Sequence, residues 1–197
     1  MRDSARYAPL GAAALLSALV AAWAYGVLVD PESQVRFAVR ETAYVSATFF
    51  LCAYLARPLQ RLAASPLATY LVRARRQFGL AAALAHTVHF GFVVALFVTV
   101  ATTANWITVV FGGFGFVVYW AMAATSNDAA VRALGSNWKR LHRFGIHYLW
   151  FIYFVTFLGA VARRPIDWLF VAVFVNALGM RTYLWSRRRA IVGETAA

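Results

Sequence analysis

The chain has 197 residues, 62% of them hydrophobic and only 13% charged. Ordinary soluble domains are about 45–50% apolar and about 25% charged, so this composition excludes a soluble enzyme and describes a chain that mostly has no water to face. Nineteen basic residues against seven acids give a formal charge of +12. No soluble basic face exists to carry that charge to nucleic acid, and arginines clustered between apolar runs belong instead to orientation in a bilayer.

Six apolar stretches each approach the ~20 residues that a spanning helix needs. The first covers about 8–29. Its Arg2 and Arg6 flank imitates a signal peptide, but the run is long for a signal core, which predicts a retained anchor helix. The second covers about 38–56 and is predicted to end at Arg57-Pro58, because a proline disfavours helical geometry in the residue before it. The third covers about 77–99, after Arg73, Arg75 and Arg76. Along it Gly79, Ala83, Thr87 and Gly91 repeat every four residues, a small-residue ridge suited to close helix packing. The fourth covers about 106–124. Its Gly112-Gly113-Phe114-Gly115 lacks the preceding strand that a nucleotide loop requires and reads as helix packing. The fifth covers about 138–161 and the sixth about 165–185, stopping at Arg187-Arg188-Arg189. No linker or repeat divides the chain, and the expectation is one all-α domain, a polytopic six-transmembrane-helix bundle over residues 1–197.

Orientation follows from the loops. The segment from Arg57 to Arg76 carries five arginines and no acid, the segment from Asn127 to Arg140 is net basic, and Thr102 to Asn105 is uncharged. The positive-inside rule and an even number of spans put both termini on the cytoplasmic side of a bacterial inner membrane. Arg163 and Arg164 dissent from this pattern. Trp106, Trp138, Trp168 and Trp185 lie near predicted helix ends, where aromatic belts sit. The single Cys52 gives neither a disulfide nor a thiolate metal site.

All four histidines, His86, His89, His142 and His147, fall in the third and fifth predicted helices. Ionisable groups inside a bilayer are costly and are functional candidates by default. At ~1.5 Å per residue, His86 is roughly 14 Å and His89 roughly 18 Å from the start of the third helix, and His147 is roughly 14 Å along the fifth, with His142 nearer its start. His86 or His89 is therefore expected to meet His147 at similar depth. At ~100° per residue His86 and His89 share one face, with Ala82 one turn before them leaving room for a flat ring, whereas His142 and His147 are about 140° apart. Arg143 shares the face of His147 and suits a ligand carboxylate. Zinc wants three or four ligands, often with carboxylate or thiolate, and neither helix holds an acid. Haem iron needs two axial ligands and accepts neutral imidazole. Its propionates suit Arg75, Arg76, Lys139, Arg140 and Arg143 at the membrane edge, where anchoring to lipid headgroups is the competing role.

Two stretches carry a resemblance. Arg75-Arg76-Gln77-Phe78-Gly79-Leu80, followed by His89, resembles the start of the third helix of ferric reductase-like transmembrane domains. Thr125-Ser126 and Leu134-Gly135-Ser136-Asn137-Trp138-Lys139-Arg140-Leu141-His142-Arg143 resemble that family's fourth loop and the beginning of its fifth helix. The likeness spans about 47–181 and is nearest to the MsrQ/YedZ branch, haem-binding membrane subunits of periplasmic methionine sulfoxide reductase systems. It implies a six-helix bundle binding b-type haem and passing electrons through the membrane, with His89 and His142 at ligand positions. A further ligand position of the family is Val155 here, so one haem fits better than the two a full complement would give. The partner of His89 is left between His147, favoured by depth, and His142, favoured by the motif.

The expected function is therefore a haem b electron-transfer subunit of an oxidoreductase system. With no flavin or nicotinamide domain in the chain, quinol or a separate flavoprotein supplies the electrons, and a periplasmic redox partner or larger membrane complex receives them. The alternative is a haem-poor structural or assembly subunit. A transporter with histidine proton relays would call for acids within helices, and none is evident.

Overall fold

The computed structural model describes residues 3–100 and 106–194, and the described residues form helices joined by short turns, without a strand. Eight helices follow in order: α1 (Asp3–Val27), α2 (Pro31–Leu62), α3 (Pro66–Arg73), α4 (Arg75–Val100), α5 (Trp106–Ala124), α6 (Asp128–Leu134), α7 (Ser136–Ala160) and α8 (Asp167–Glu194). The six apolar stretches correspond to α1, α2, α4, α5, α7 and α8. The predicted loop at Thr102–Asn105 lies outside the described residues.

Among the described residues three helices are long and apolar enough to cross a membrane, within Tyr7–Val27, Arg75–Val100 and Asp167–Arg187. The number becomes four if Val109–Ala124 and Asp128–Leu134, bent by 103° at their junction, count as one span. Their large apolar side chains stay outside the core: Trp23, Val98, Phe111 and Val175 are all about half exposed or more. Apolar surface on that scale marks an interaction surface, and it is compatible with residence in a membrane.

The packing partners form a ring. α2 lies against α4, α4 against α5, α5 against α7, α7 against α8 and α8 against α2, while α1 packs outside on α2 and α4. Three cross-helix hydrogen bonds set the α2–α4 register. Arg75 Nε donates to the Ala53 carbonyl (2.9 Å), Ser46 Oγ to the Ala82 carbonyl (3.0 Å), and His89 Nδ1 lies 3.0 Å from the Val39 carbonyl. Each is seven residues from the next on both helices, the heptad spacing of antiparallel coiled packing. Alanines make the approach close, since Ala47, Ala81, Ala82 and Ala85 are fully enclosed or nearly so. The end carrying Arg75 is here called the lower end of the ring.

Several helix boundaries differ from those predicted, for local reasons. α2 starts at Pro31, with Asp30 as N-cap accepting from the Ser33 amide (2.8 Å), and it continues through Arg57-Pro58 to Leu62. Pro58 has no N–H for the Tyr54 carbonyl four residues back, and Arg181 Nη2 from α8 supplies the missing donor at 2.8 Å. The two expected basic loops each contain a short helix. α3 is capped by Ser65 before Pro66, and α6 by Asn127. Gly135, at φ +50°, turns α6 into α7. α8 runs past Trp185 and Arg187 to Glu194, so that tryptophan is not at a helix end.

The glycine ridges are also placed differently from expectation. An added methyl group at Gly79, Gly91, Gly112 or Gly113 would meet nothing, so none of these mediates a tight contact. The close approach falls instead at Gly145 of α7, where a methyl group would collide with Met122 and press on Val118 of α5.

Candidate functional site

The interior of the ring is aromatic, with Phe50, Phe116, Tyr119, Tyr153, Phe157 and Phe174 all buried. His86 projects into it from α4. Its ring lies 4.4 Å from Phe116, 4.6 Å from Tyr119 and 5.4 Å from His89, centroid to centroid. The α4 helix places both histidines on one face, as the three-residue spacing requires.

Counting hydrogens fixes which nitrogen of each imidazole is free. Ser46 has one hydroxyl proton, given to the Ala82 carbonyl. In its 2.5 Å contact with Tyr153 Oη, the tyrosine must therefore donate. That uses the only proton of Tyr153, so Tyr119 Oη donates to it at 3.1 Å. His86 Nδ1 faces these two committed oxygens, Tyr153 Oη at 3.3 Å and Ser46 Oγ at 3.4 Å, and must carry a proton itself. His89 Nδ1 faces a carbonyl, which can only accept, and so is also protonated, with Thr42 Oγ1 at 3.2 Å. Placed so, each histidine holds its Nδ1–H to protein oxygens, and no hydrogen bond to either Nε2 occurs among the described residues. Anchoring one ring nitrogen to a carbonyl or hydroxyl while the other stays free is the arrangement that metal-ligating histidines use.

The histidines of α7 lie elsewhere. His142 stacks on Trp138 (4.1 Å between centroids) and has Thr125 Oγ1 3.1 Å from its Nε2. His147 meets the edge of Tyr54 at 6.2 Å and lines an open groove of about 460 Å³ with Arg140, Arg143, Phe144, Tyr148 and Phe151. Arg143 thus shares the His147 surface, as its spacing predicted. Arg76 pairs with Asp128 of α6 at 2.5 Å on the exposed surface.

The structure brings His86 and His89 together and does not bring either against His142 or His147. Tyr153 is the α7 residue level with His86, and His147 lies six residues before it, about 9 Å lower at the helical rise. Tyr153, Ser46 and Phe50 occupy the space between α4 and α7 at the His86 level. The room predicted beside Ala82 is taken by α2, whose Ser46 reaches the Ala82 carbonyl. Val155 is 37% exposed. Among the described residues, no three of histidine, cysteine, aspartate and glutamate converge as a metal site.

Sequence reasoning missed Thr42, Ser46, Tyr119 and Tyr153, ordinary polar residues whose role exists only across helices. It also missed Arg181, which had a signal: an arginine inside an apolar run is costly unless it serves something. A second polar cluster lies at the upper end. The fully buried Asp167 accepts from Tyr44 Oη and from Arg164 (Nε 3.1 Å, Nη2 3.0 Å), beside an open cavity of about 360 Å³ that Arg40 and Glu41 also line. No protein-family model matches this chain, and no solved structure matches it.

Proposed function

We propose that this chain is a six-span membrane protein with both termini cytoplasmic, that it binds b-type haem through the α4 histidines, and that it relays electrons across a bacterial inner membrane. The observation that carries this reading is the pair of neighbouring imidazoles, His86 buried and His89 partly buried, each held through Nδ1 with no hydrogen bond at Nε2 among the described residues. Haem iron, when bound, carries one electron at a time between its ferrous and ferric forms. The chain supplies the rest. The Val39 carbonyl and Thr42 fix the His89 ring, Ser46 and Tyr153 fix His86, and the aromatic walls exclude water.

Both rings come from one face of α4, so only one of them can serve a given haem face. A second imidazole would have to come from α7, from His147 or His142, at the lower level. One haem therefore requires Tyr153 to yield its place between α4 and α7. Arg75, Arg76, Lys139, Arg140 and Arg143 at the lower end suit its propionates. The donor on this reading is quinol or a flavoprotein, and the acceptor a periplasmic redox partner or larger complex.

A second reading, a haem-poor structural or assembly subunit, is favoured by one observation: His86 is satisfied within the protein by Ser46 and Tyr153. The visible spectrum of the purified protein separates the two. Reduced bands of b-type haem, lost in His89→Ala, support the relay. A colourless protein expressed with haem available rejects it. If bands are present, comparing His147→Ala with His142→Ala identifies the α7 ligand, and full haem content with unchanged potential in His89→Ala overturns the α4 assignment.

A further inference from the structure

Three arginines at the lower end of the ring make no ion pair among the described residues. Arg75 of α4 and Arg181 of α8 reach the same place on α2 and donate to the adjacent carbonyls of Ala53 (2.9 Å) and Tyr54 (2.8 Å). Arg57 lies close enough for its charge to act on both. The ion pairs among the described residues engage Arg36, Arg40, Arg76 and Arg164, and none of these three arginines.

Capping the α2 carbonyls beside Pro58 explains one N–H of each guanidinium, which has five. It leaves two buried donors without acceptors. Arg181 Nε is buried and unbonded, and so is the hydroxyl of Tyr54, a residue with no exposed surface. The Arg181 guanidinium sits 3.8 Å from the centre of the Tyr54 ring, so both orphan donors belong to one stacked pair of side chains. Buried polar groups are nearly always paired, and withdrawn charges without a counter-charge are costly. One acceptor bearing negative charge and several oxygens would satisfy all of them together.

We propose that Arg75, Arg181 and Tyr54, with Arg57 at the rim, form a binding site for a phosphate group of net negative charge. Guanidinium forks match phosphate oxygens in geometry and charge. The site lies where the α4 span begins, the level at which headgroups of anionic lipids meet a bundle, and free phosphate offers the same chemistry. The proposal goes beyond the haem reading and does not rest on it.

The test uses the full chain, delipidated in detergent, with thermal melting followed during titration. Dioleoylphosphatidylglycerol should raise the melting temperature saturably, and dioleoylphosphatidylcholine should not. Phosphorus retained per chain is counted in the same samples, a readout indifferent to haem. A matching shift with inorganic phosphate identifies the free anion as ligand, and a shift with the anionic lipid alone identifies the headgroup. Tyr54→Phe removes a hydroxyl that holds nothing within the protein, so a purely structural cluster would keep its stability and its lipid response. We expect this variant to bind the anion about tenfold more weakly, the worth of one hydrogen bond to a charged group, and Arg181→Gln to bind it more weakly still. Equal responses to the two lipids with no response to phosphate, or wild-type affinity in Tyr54→Phe, would overturn the site; Tyr54→Phe carries the test even if Arg181→Gln fails to fold.

Discussion

Tyr153 joins the two halves of the ring. Its hydroxyl donates to Ser46 of α2, accepts from Tyr119 of α5 and accepts from His86 of α4, so one oxygen ties α7 to three other helices. Tyr153→Phe leaves the ring-filling area intact and removes that oxygen. Ser46 keeps the Ala82 carbonyl, but Tyr119 Oη loses its acceptor in a buried setting. The expected cost is about 1–3 kcal/mol, read as a lower melting temperature in detergent, and a melting temperature equal to wild type would show that the oxygen ties nothing. The sequence made His86 and His89 legible because imidazoles are conspicuous among apolar residues, and their spacing alone put them on one face. It did not make Tyr153 legible, because a tyrosine in a tryptophan- and phenylalanine-rich helix has no distinguishing mark. Nor did it show that the α7 histidines sit lower. Depth counted from the predicted start of each helix assumes that both helices begin at the same level, whereas the true offset is set by which side chains meet across the ring.

At the scale of the helix, α2 is the element whose character departs most from its apolar pattern. Its 32 residues include Thr42 and Ser46, both fully buried, and a proline that does not end it. The proline was misread as a terminator because the compensating donor, Arg181, comes from more than a hundred residues away. This predicts a specific non-additivity. Pro58→Ala restores an N–H for the Tyr54 carbonyl and makes the Arg181 contact redundant there. Arg181→Gln should then destabilise the Pro58→Ala background less than the wild type, with a coupling of about 0.5–3 kcal/mol by a double-mutant cycle; strict additivity would mean that the two residues do not share that carbonyl. The start of α2 has a pH signature. The Ser33 amide holds the Asp30 carboxyl below the ordinary carboxylate range. A depressed pKa stabilises the fold above the ordinary value, and the contribution is lost as pH falls through the depressed one. Amide exchange at Ser33 and Gln34 should therefore quicken only on acidification below the usual aspartate range, and Asp30→Ala should show the faster exchange at neutral pH.

For the whole molecule, the question is why α2 and α7 are less apolar than the helices that pass as spans on length and composition. Each turns some of its polar groups to the interior of the ring, beside others that stay on the surface. α2 contributes Thr42, Ser46 and Tyr54, and α7 contributes Tyr153. A helix shielded by neighbours can carry polar groups that a lipid-facing helix cannot. Arg164, which stood against the charge bias of the loops, is neutralised by the buried Asp167, so the upper end carries less net positive charge than its arginines suggest. Closure of the ring places the α1–α2 turn and the α7–α8 turn at one end, where Tyr44 of α2 bonds to Asp167 of α8, and the α3 and α6 segments at the other, where Arg76 pairs with Asp128. A bundle inserted as six spans must then expose Ser33 and Arg163 on the same side of the membrane, and Ala64 and Ser136 on the opposite side. With the termini cytoplasmic, as proposed above, single cysteines at Ser33 and Arg163 in a Cys52→Ser background should react with an impermeant maleimide applied to the periplasmic face. Those at Ala64 and Ser136 should react only after the membrane is opened. Labelling Ser33 and Arg163 from opposite faces would break the ring as a membrane architecture, because no insertion of this fold separates those two turns.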